Sequence, residues 1–217
     1  MVDQETTGPA PARKYQFIGG ALCLDFCNTM GGKRGGIPRE FLKQYTDLVS
    51  WTQQAGLINS QQADTLARRS ARHPDEARAV LGRGIALREA VYRIFFEVGQ
   101  KKLPAPADME CLNRELGLTL HGWRVREMHD GFLWEWSGDA ESLDYPLGPI
   151  ARSAADLLTS RGYQANIHCC EGQNCGWMFV DASKNHSRRW CDMRDCGNRA
   201  KIKRHRQRQA KARPRKP

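Results

Sequence analysis

Two matched cysteine pairs near the C-terminus are the residues of this chain most suited to chemistry. The first pair is Cys170 and Cys175, the second is Cys191 and Cys196, and a glycine follows each pair. Four residues separate the two members of each pair, which is enough for both sulfurs to reach one ion. Four thiolates in tetrahedral geometry are a common donor set of structural zinc sites. The spacing therefore predicts one structural zinc ion bound by these four cysteines.

The neighbours of these cysteines leave alternatives for the ligand set. Cys169 is adjacent to Cys170, and we prefer Cys170 because it makes both loops the same length. His168 and His186 are near enough in the sequence to replace a cysteine. A site closed by four thiolates has no open position for water, which argues against a catalytic zinc. Free buried thiols are the remaining alternative.

The residues around the pairs predict a small zinc finger. Gly176 and Gly197 follow the second cysteine of each pair, where the lack of a Cβ allows the backbone to turn towards the sulfurs. Residues 177–181 and 187–190 are predicted to form a β-hairpin between the pairs. Asn198 is expected to cap the helix that follows. The loop of residues 170–176 is predicted to form a knuckle around the first cysteine pair. A knuckle followed by a hairpin and a helix resembles a treble-clef zinc finger.

Positive charge is concentrated in the C-terminal part of the chain. The sequence has 34 Lys and Arg residues and 24 Asp and Glu residues, a net charge of +10. Residues 184–217 contain fourteen of these basic residues and two acidic ones, so this segment carries +12 and the remainder −2. Such asymmetry predicts a polyanionic partner for the C-terminal segment, and a solvated basic tail is the alternative.

The predicted helix from residue 199 to about residue 212 carries most of this charge. Its few apolar residues, such as Ile202, cannot form a full buried face, so we expect the helix to order against nucleic acid. Trp177 and Trp190 are better placed to pack on the metal core than to stack on bases. The cations that we expect to bind nucleic acid are Arg188, Arg189, Arg199, Lys201, Lys203, Arg204, Arg206 and Arg208.

Residues 15–162 have the pattern of an α+β domain that is mostly helical. Apolar periodicity predicts helices at about residues 38–56, 60–73, 75–98, 107–116 and 150–159. The Asp130-Gly131 turn signal predicts a tryptophan-rich antiparallel hairpin within residues 118–136. The apolar residues 15–26, interrupted by Gly19-Gly20, predict one or two short strands.

A polar group beside this apolar segment is the candidate ligand pocket. Asp25 and Asn28 precede residues 31–36, a Gly-rich loop that contains Lys33 and Arg34. Asp25, Asn28 and Arg34 could line a small-molecule site, although capping of the turn by Asp25 and Asn28 is the favoured interpretation. The loop lacks the Ser or Thr that follows the lysine of a Walker loop, so an anion site there is a weaker alternative.

Several classes of function are disfavoured by the whole sequence. No Ser/His/Asp order, paired carboxylate motif or dinucleotide fingerprint is present, so we expect no enzyme activity. No run of about 18 apolar residues is present, so we expect no membrane partner. The polar first residues lack the apolar centre of a signal peptide, and we expect a cytoplasmic protein.

The residues at both ends of the chain resemble two known families. Cys196-Gly197-Asn198-Arg199 is similar to the signature of the CGNR zinc finger. Residues 20–29 and 48–57 resemble the ABATE domain, which precedes this finger in bacterial proteins described as stress-induced transcription regulators. The resemblance extends from about residue 15 to residue 210. It implies a zinc-dependent DNA-binding finger and assigns zinc to the same four cysteines.

These expectations combine into one organisation and one leading hypothesis. We expect a disordered leader at residues 1–14, an ABATE-like α+β domain at 15–162, the CGNR-type finger with its basic helix at 163–212 and a basic tail at 213–217. The leading hypothesis is a transcription regulator that binds DNA through the finger, with a sensing or homodimerising N-terminal domain. An RNA-binding or ribosome-associated zinc protein is one alternative, and a protein that binds a small-molecule effector is another.

Overall fold

A computed structural model describes residues 13–137, 141–160 and 166–212, so most of the predicted leader and all of the predicted tail lie outside the described residues. The helices are α1 Leu22–Cys27, α2 Tyr45–Gln54, α3 Ser60–Arg72, α4 Pro74–Gly99, α5 Pro106–Thr119, α6 Leu147–Thr159 and α7 Asn198–Ala212. The strands are β1 Met30–Gly31, β2 Arg39–Glu40, β3 Trp123–Met128, β4 Gly131–Trp136, β5 Ile167–Cys169 and β6 Met178–Val180. They form the antiparallel pairs β1–β2, β3–β4 and β5–β6. The fold is α+β and mostly helical, which confirms the prediction.

The longest helix, α4, lies at the centre of the hydrophobic core. It begins at Pro74, where the missing N–H of proline removes no helical hydrogen bond. Leu87 and Ile94 are fully buried on its inner side, and α4 contacts α1, α2, α3, α5, α6 and β5. Gly84 allows close approach of α6, because a Cβ there would lie 3.1 Å from Leu147 Cδ2. This helix therefore organises the N-terminal part around one core.

A buried arginine ties β2 to this central helix. Arg88 of α4 has a side chain only 1% exposed, and its Nη2 lies 2.6 Å from Glu40 Oε2. Its Nε lies 2.8 Å from Glu89 Oε1. Loss of Arg88 would leave the Glu40 carboxylate without its cation in a partly buried site, whereas Glu89 would still pair with Arg34. Breaking a buried pair typically costs about 3–5 kcal/mol.

The prediction of one or two strands in residues 15–26 is wrong, because residues 15–21 form no regular element and the following residues are helical. Leu22–Cys27 forms α1, in which Leu24 N and Asp25 N both donate to Ala21 O at 3.0 Å. Residues 23–27 are all buried. A short segment that is buried on every side has no apolar periodicity, so its sequence cannot distinguish a helix from a strand.

The strand pair β5–β6 joins the C-terminal part to the same core. Ile167, Met178 and Val180 are buried among residues of the N-terminal helices. Val180 N donates a hydrogen bond to Gly19 O at 2.8 Å. The two parts of the chain therefore share apolar packing and backbone hydrogen bonds.

The predicted return strand at residues 187–190 is wrong. That segment is not a strand, and β6 pairs instead with β5, which lies before the first cysteine pair. Asp181, directly after β6, accepts hydrogen bonds from Ser183 N at 2.9 Å and Arg188 N at 2.7 Å. A carboxylate therefore binds the backbone N–H groups of this loop, which is a local alternative to strand pairing.

Candidate metal centre and nucleic-acid interface

The four predicted zinc ligands converge on one point. The Sγ atoms of Cys170, Cys175, Cys191 and Cys196 all lie within 4.8 Å of one another. Cys191 Sγ lies 3.7 Å from the Sγ atoms of both Cys175 and Cys196. Tetrahedral zinc with Zn–S distances of about 2.3 Å needs sulfurs about 3.8 Å apart, whereas a disulfide bond is about 2.05 Å long. The spacing fits one tetrahedral metal ion.

Short local structures deliver the four sulfurs. Cys170 directly follows β5, and Cys175 closes a turn in which its N–H donates to Gly172 O at 3.1 Å. Cys196 lies in a π-helical turn, Met193–Gly197, that leads directly into α7. Because this turn continues into the helix, the metal centre also determines where α7 begins.

A glycine that the sequence analysis missed makes room for the cluster. A Cβ at Gly172 would lie 3.0 Å from Cys196 Sγ and 3.4 Å from Cys170 Sγ. The two glycines expected to serve the sulfurs have other neighbours: Gly176 packs on the Gly-rich loop and Gly197 on Met193. Only the folded knuckle shows which glycine faces the metal, because all three lie near a cysteine in the sequence.

Hydrogen-bond donors surround the sulfurs. Gly172 N and Cys191 N lie 3.4 and 3.3 Å from Cys170 Sγ, and Arg199 Nη2 lies 3.3 Å from Cys196 Sγ. Such donors favour thiolates, the form that binds zinc. The donor set therefore fits a structural zinc ion.

The alternative ligands lie outside the cluster. Cys169 Sγ lies 3.8 Å from Tyr92 Oη of α4, so this cysteine contacts the N-terminal helices. His186 Nδ1 lies 2.9 Å from Asp181 O. His168 packs near Phe179, with ring centroids 6.0 Å apart. Cys170 is therefore the member of the adjacent pair that completes the metal site.

The two arginines before the second cysteine pair already have protein partners. Arg188 lies over the Phe179 ring at 4.3 Å and donates to Trp190 O at 2.9 Å and to Cys191 O. Arg189 is exposed and pairs with the carboxylate of Glu171. Arg188 therefore stabilises the finger itself, a role that its sequence position did not indicate. Nucleic-acid binding by these two residues stays a prediction.

The six predicted nucleic-acid ligands of α7 are all exposed. Arg199 Nη2 lies 2.9 Å from Asp195 Oδ2, and Lys203 Nζ lies 2.8 Å from Gln173 Oε1. Within the described part of the chain, the other four have no hydrogen bond or salt bridge from their charged groups: Lys201, Arg204, Arg206 and Arg208. The helix thus presents unneutralised positive charge beside the metal centre.

The predicted capping role of Asn198 is wrong. Asn198 has helical φ and ψ angles of −65° and −44°, and its Nδ2 donates to Arg194 O at 3.0 Å. The chain reaches α7 already helical through the π-helical turn, which is capped by Asp192 through a 2.7 Å hydrogen bond from Arg194 N. A cap is therefore needed one turn earlier than the sequence suggested.

The three predicted pocket residues do not share one cavity. Asp25 Oδ1 accepts from Gly19 N at 2.7 Å, and burial raises the pKa of Asp25 to about 6. Asn28 binds the backbone of Met178 through both its Nδ2 and its Oδ1, at 2.9 and 2.8 Å. Asp25 and Asn28 line a cavity of about 230 Å³ that also reaches the finger, and Arg34 does not line it.

Arg34 anchors the Gly-rich loop to the helical core. Its Nε lies 3.2 Å from Glu89 Oε2, and its Nη2 donates to Cys27 O at 2.9 Å. Its guanidinium lies over the Tyr92 ring at 3.7 Å. The contacts of Arg34 are those of a structural residue, and ligand binding by Asp25, Asn28 and Arg34 stays a prediction.

Fold and site together define a zinc-finger protein with a helical N-terminal part. Residues 20–161 match the model of the ABATE family, described as "Putative stress-induced transcription regulator". Residues 167–209 match the CGNR zinc finger. The ABATE match covers more than half of the chain, so the chain belongs to this family, and its cofactor is one structural zinc ion. No curated protein sequence matches the chain.

The sequence predicts neither enzyme activity nor a membrane partner. The two descriptions are those of a regulatory family and a zinc finger, and neither names a catalytic activity. Among the described residues, no helix combines the length and apolar character needed to cross a bilayer.

Proposed function

We propose that this protein regulates transcription by binding duplex DNA through its zinc finger and α7. The observation that carries the proposal is the helix itself, which exposes six cations beside the metal centre. Five of them have no anionic partner in the described part of the chain, the exception being Arg199, which pairs with Asp195. Clustered unneutralised cations on one helix are the electrostatic signature of a polyanion-binding surface. The family description supports the regulatory role.

The dimensions of α7 suit the major groove. Its 15 residues span about 22 Å, and the B-DNA major groove, about 12 Å wide, admits an α-helix. Arg199, Lys203 and Arg206 share one side of the helix, since residues three or four apart are neighbours on a helical surface. Lysines of such a helix bind phosphates, and arginines can also bind guanine edges. A helix fixed at one end by the cysteine cluster can therefore enter the groove in a defined orientation.

RNA is the alternative polyanion, because the same charges attract any phosphate backbone. A-form RNA has a deep, narrow major groove that side chains cannot read, so an inserted helix favours B-form DNA. Competition between a DNA duplex and a structured RNA at the same salt concentration distinguishes the two partners. Preferential displacement of the DNA by the RNA would assign the protein to RNA.

The test measures duplex affinity as a function of salt by fluorescence anisotropy, with zinc-loaded full-length protein. If about six phosphates are neutralised, the logarithm of the affinity should fall with log salt at a slope near −5. Chelation of the metal should abolish binding, since metal binding is coupled to folding in such modules. Salt-independent binding, or no binding to any duplex, would reject the proposal.

A charge variant localises the interaction. The triple change Arg204→Ala, Arg206→Ala and Arg208→Ala should reduce the slope by about 3 units, at about 0.9 per phosphate contact. Arg78→Ala is the matched control, because Arg78 is 75% exposed near the start of α4. Arg78 lies about 30 Å along the helix axis from Gly99, which packs against the finger strand β5. A change in slope of about 0.9 in the control, which is the same change per removed charge, would point to a general charge effect and not to α7.

Other expectations remain proposals at this point. We propose the division into an N-terminal domain at 15–162 and a finger at 163–212, supported by the limits of the two family matches. The homodimer, the small-molecule effector and the cytoplasmic location stay predictions.

A further inference from the structure

The Gly-rich loop of the N-terminal part lies directly against the zinc knuckle. A Cβ at Gly176 would lie 2.8 Å from Gly32 O and 3.1 Å from Lys33 Cα, so the two backbones touch. Gly32 has a φ of +86°, a conformation that favours glycine. Both contact positions therefore require glycine, and any side chain at residue 176 would separate the loop from the knuckle.

Hydrogen bonds fix this arrangement on both sides of the contact. Trp177 Nε1 donates to Met30 O at 3.1 Å, immediately before the loop. The side chain of Asn28 forms two hydrogen bonds with the backbone of Met178, immediately after Trp177. Arg34 holds the other side of the loop through Glu89. The residue between these anchors, Lys33, is thus held at a defined place relative to the finger.

Lys33 and Arg34 are adjacent cations with different environments. The Arg34 side chain is 16% exposed and paired with Glu89. Lys33 is exposed, and no described residue forms a hydrogen bond or salt bridge with its ammonium group. A lysine that needs no partner for folding retains its charge for an external anion.

Lys33 lines a groove of about 500 Å³ between the loop, the knuckle and the start of α7. Arg199, Lys203 and Arg204 of α7 line the same groove, as does Arg189. The lining contains one carboxylate, Glu171, which Arg189 already neutralises, and two zinc-binding thiolates, Cys175 and Cys196. Arg199 donates a hydrogen bond to the Cys196 thiolate. This groove is suited to an anion with distributed charge, such as a chain of phosphates.

We infer that the nucleic-acid surface is composite: the Gly-rich loop forms one wall of it, and Lys33 binds a backbone phosphate. The inference rests on the proposed nucleic-acid function and adds a contact from outside the finger. Phosphate contacts fix the register and orientation of a protein on a duplex without reading its sequence. The N-terminal part therefore helps to orient α7 on the duplex through direct contact.

The experiment compares salt-dependent duplex binding by full-length, zinc-loaded wild type, Lys33→Ala, Lys33→Arg and Arg78→Ala. Lys33→Ala should make the slope shallower by about 0.9 and weaken binding about 5- to 10-fold at 0.1 M salt, with the difference fading towards 1 M. The loss should be equal on duplexes of different sequence. Lys33→Arg should restore most of the affinity, and Arg78→Ala should bind as wild type does.

The outcomes separate this inference from the proposed function. If wild type binds duplex and the triple α7 variant loses affinity, but Lys33→Ala has the wild-type slope, the loop contact is rejected and the proposed function stands. If wild type binds no duplex, the proposed function itself fails. An unchanged zinc content and melting temperature of Lys33→Ala exclude misfolding as the cause of a loss, and a sequence-dependent loss would overturn the assignment to phosphate.

Discussion

The zinc finger has two sides that differ sharply in exposure. On one side, Ile167 and Met178 of β5 and β6 are 2% and 1% exposed and pack in the core of the N-terminal helices. On the other side, every residue of α7 from 201 to 209 is exposed. The four-cysteine cluster links them, since Cys170 follows β5 and Cys196 precedes α7.

This difference separates the residues that stabilise the folded finger from the residues that are free to bind a partner. The side formed by β5 and β6, which we call the docked side, is held by apolar burial and backbone hydrogen bonds. These interactions need fixed geometry and no external partner. The exposed side has charge that the described residues leave largely unneutralised. We therefore expect changes on the docked side to reduce stability and changes on α7 to reduce binding.

The largest effect is expected where the two sides meet, at the metal centre. Cys191→Ser should abolish stoichiometric zinc binding and lower the melting temperature of the whole protein by at least about 10 °C, because β6 belongs to the shared core. Nucleic-acid binding should be lost with it. Metal analysis and calorimetry measure both effects.

Cys169→Ser is the matched control for the metal centre, since Cys169 contacts Tyr92 and lies outside the cluster. It should retain one zinc ion per chain. A finger that loses zinc while the N-terminal part melts at an unchanged temperature would show that the docked side is not coupled to the metal centre.

Asn28→Ala tests the docked side alone. It removes two hydrogen bonds with the buried backbone of Met178 and leaves both groups unpaired, so the free energy of unfolding should fall by about 2–4 kcal/mol. Urea denaturation measures the change. Asn113→Ala, at an exposed position of α5, should change stability by less than about 0.5 kcal/mol. Equal effects of the two changes would contradict a specific contact between Asn28 and the finger.

The pH dependence of stability tests the buried Asp25 near the same interface. Burial raises its pKa to about 6 in the folded protein, above the ordinary value of 3.8. The folded state then binds more protons than the unfolded state between these values, so the free energy of unfolding should decrease as pH rises from about 4 to 6. The decrease from this residue is at most about 3 kcal/mol.

Asp25→Asn should remove this component of the pH dependence and increase stability at pH 7, because it removes the buried charge. The Oδ1 atom of asparagine can still accept the hydrogen bond from Gly19 N. Unfolding curves of wild type and variant at several pH values measure the difference. An identical pH dependence would show that Asp25 titrates normally.

The smallest effect on stability is expected on α7. Arg208→Ala should change the free energy of unfolding by less than about 0.5 kcal/mol, since the side chain is exposed and has no partner among the described residues. The same change should weaken duplex binding. A large loss of stability in urea denaturation would mean that α7 also has a docked face.

The sequence predicted best what depends on short-range patterns. Equal spacing in the two cysteine pairs was enough for the zinc ligands, because each loop brings its own two sulfurs together. The strands predicted within residues 15–26 and at 187–190 are absent. Burial on every side removed the periodic pattern from residues 23–27, and the Asp181 carboxylate binds the backbone of the 183–188 loop.

By itself, the sequence determined the zinc ligands, the helical character of the N-terminal part and the segregation of positive charge, since composition and local spacing suffice for each. Only the tertiary structure decided what Asn28, Lys33 and Arg34 do. Asn28 binds a residue 150 positions away, and Lys33 faces the finger because Gly32 and Gly176 allow two backbones to touch. Such roles depend on long-range packing, which produces no periodic pattern in the local sequence.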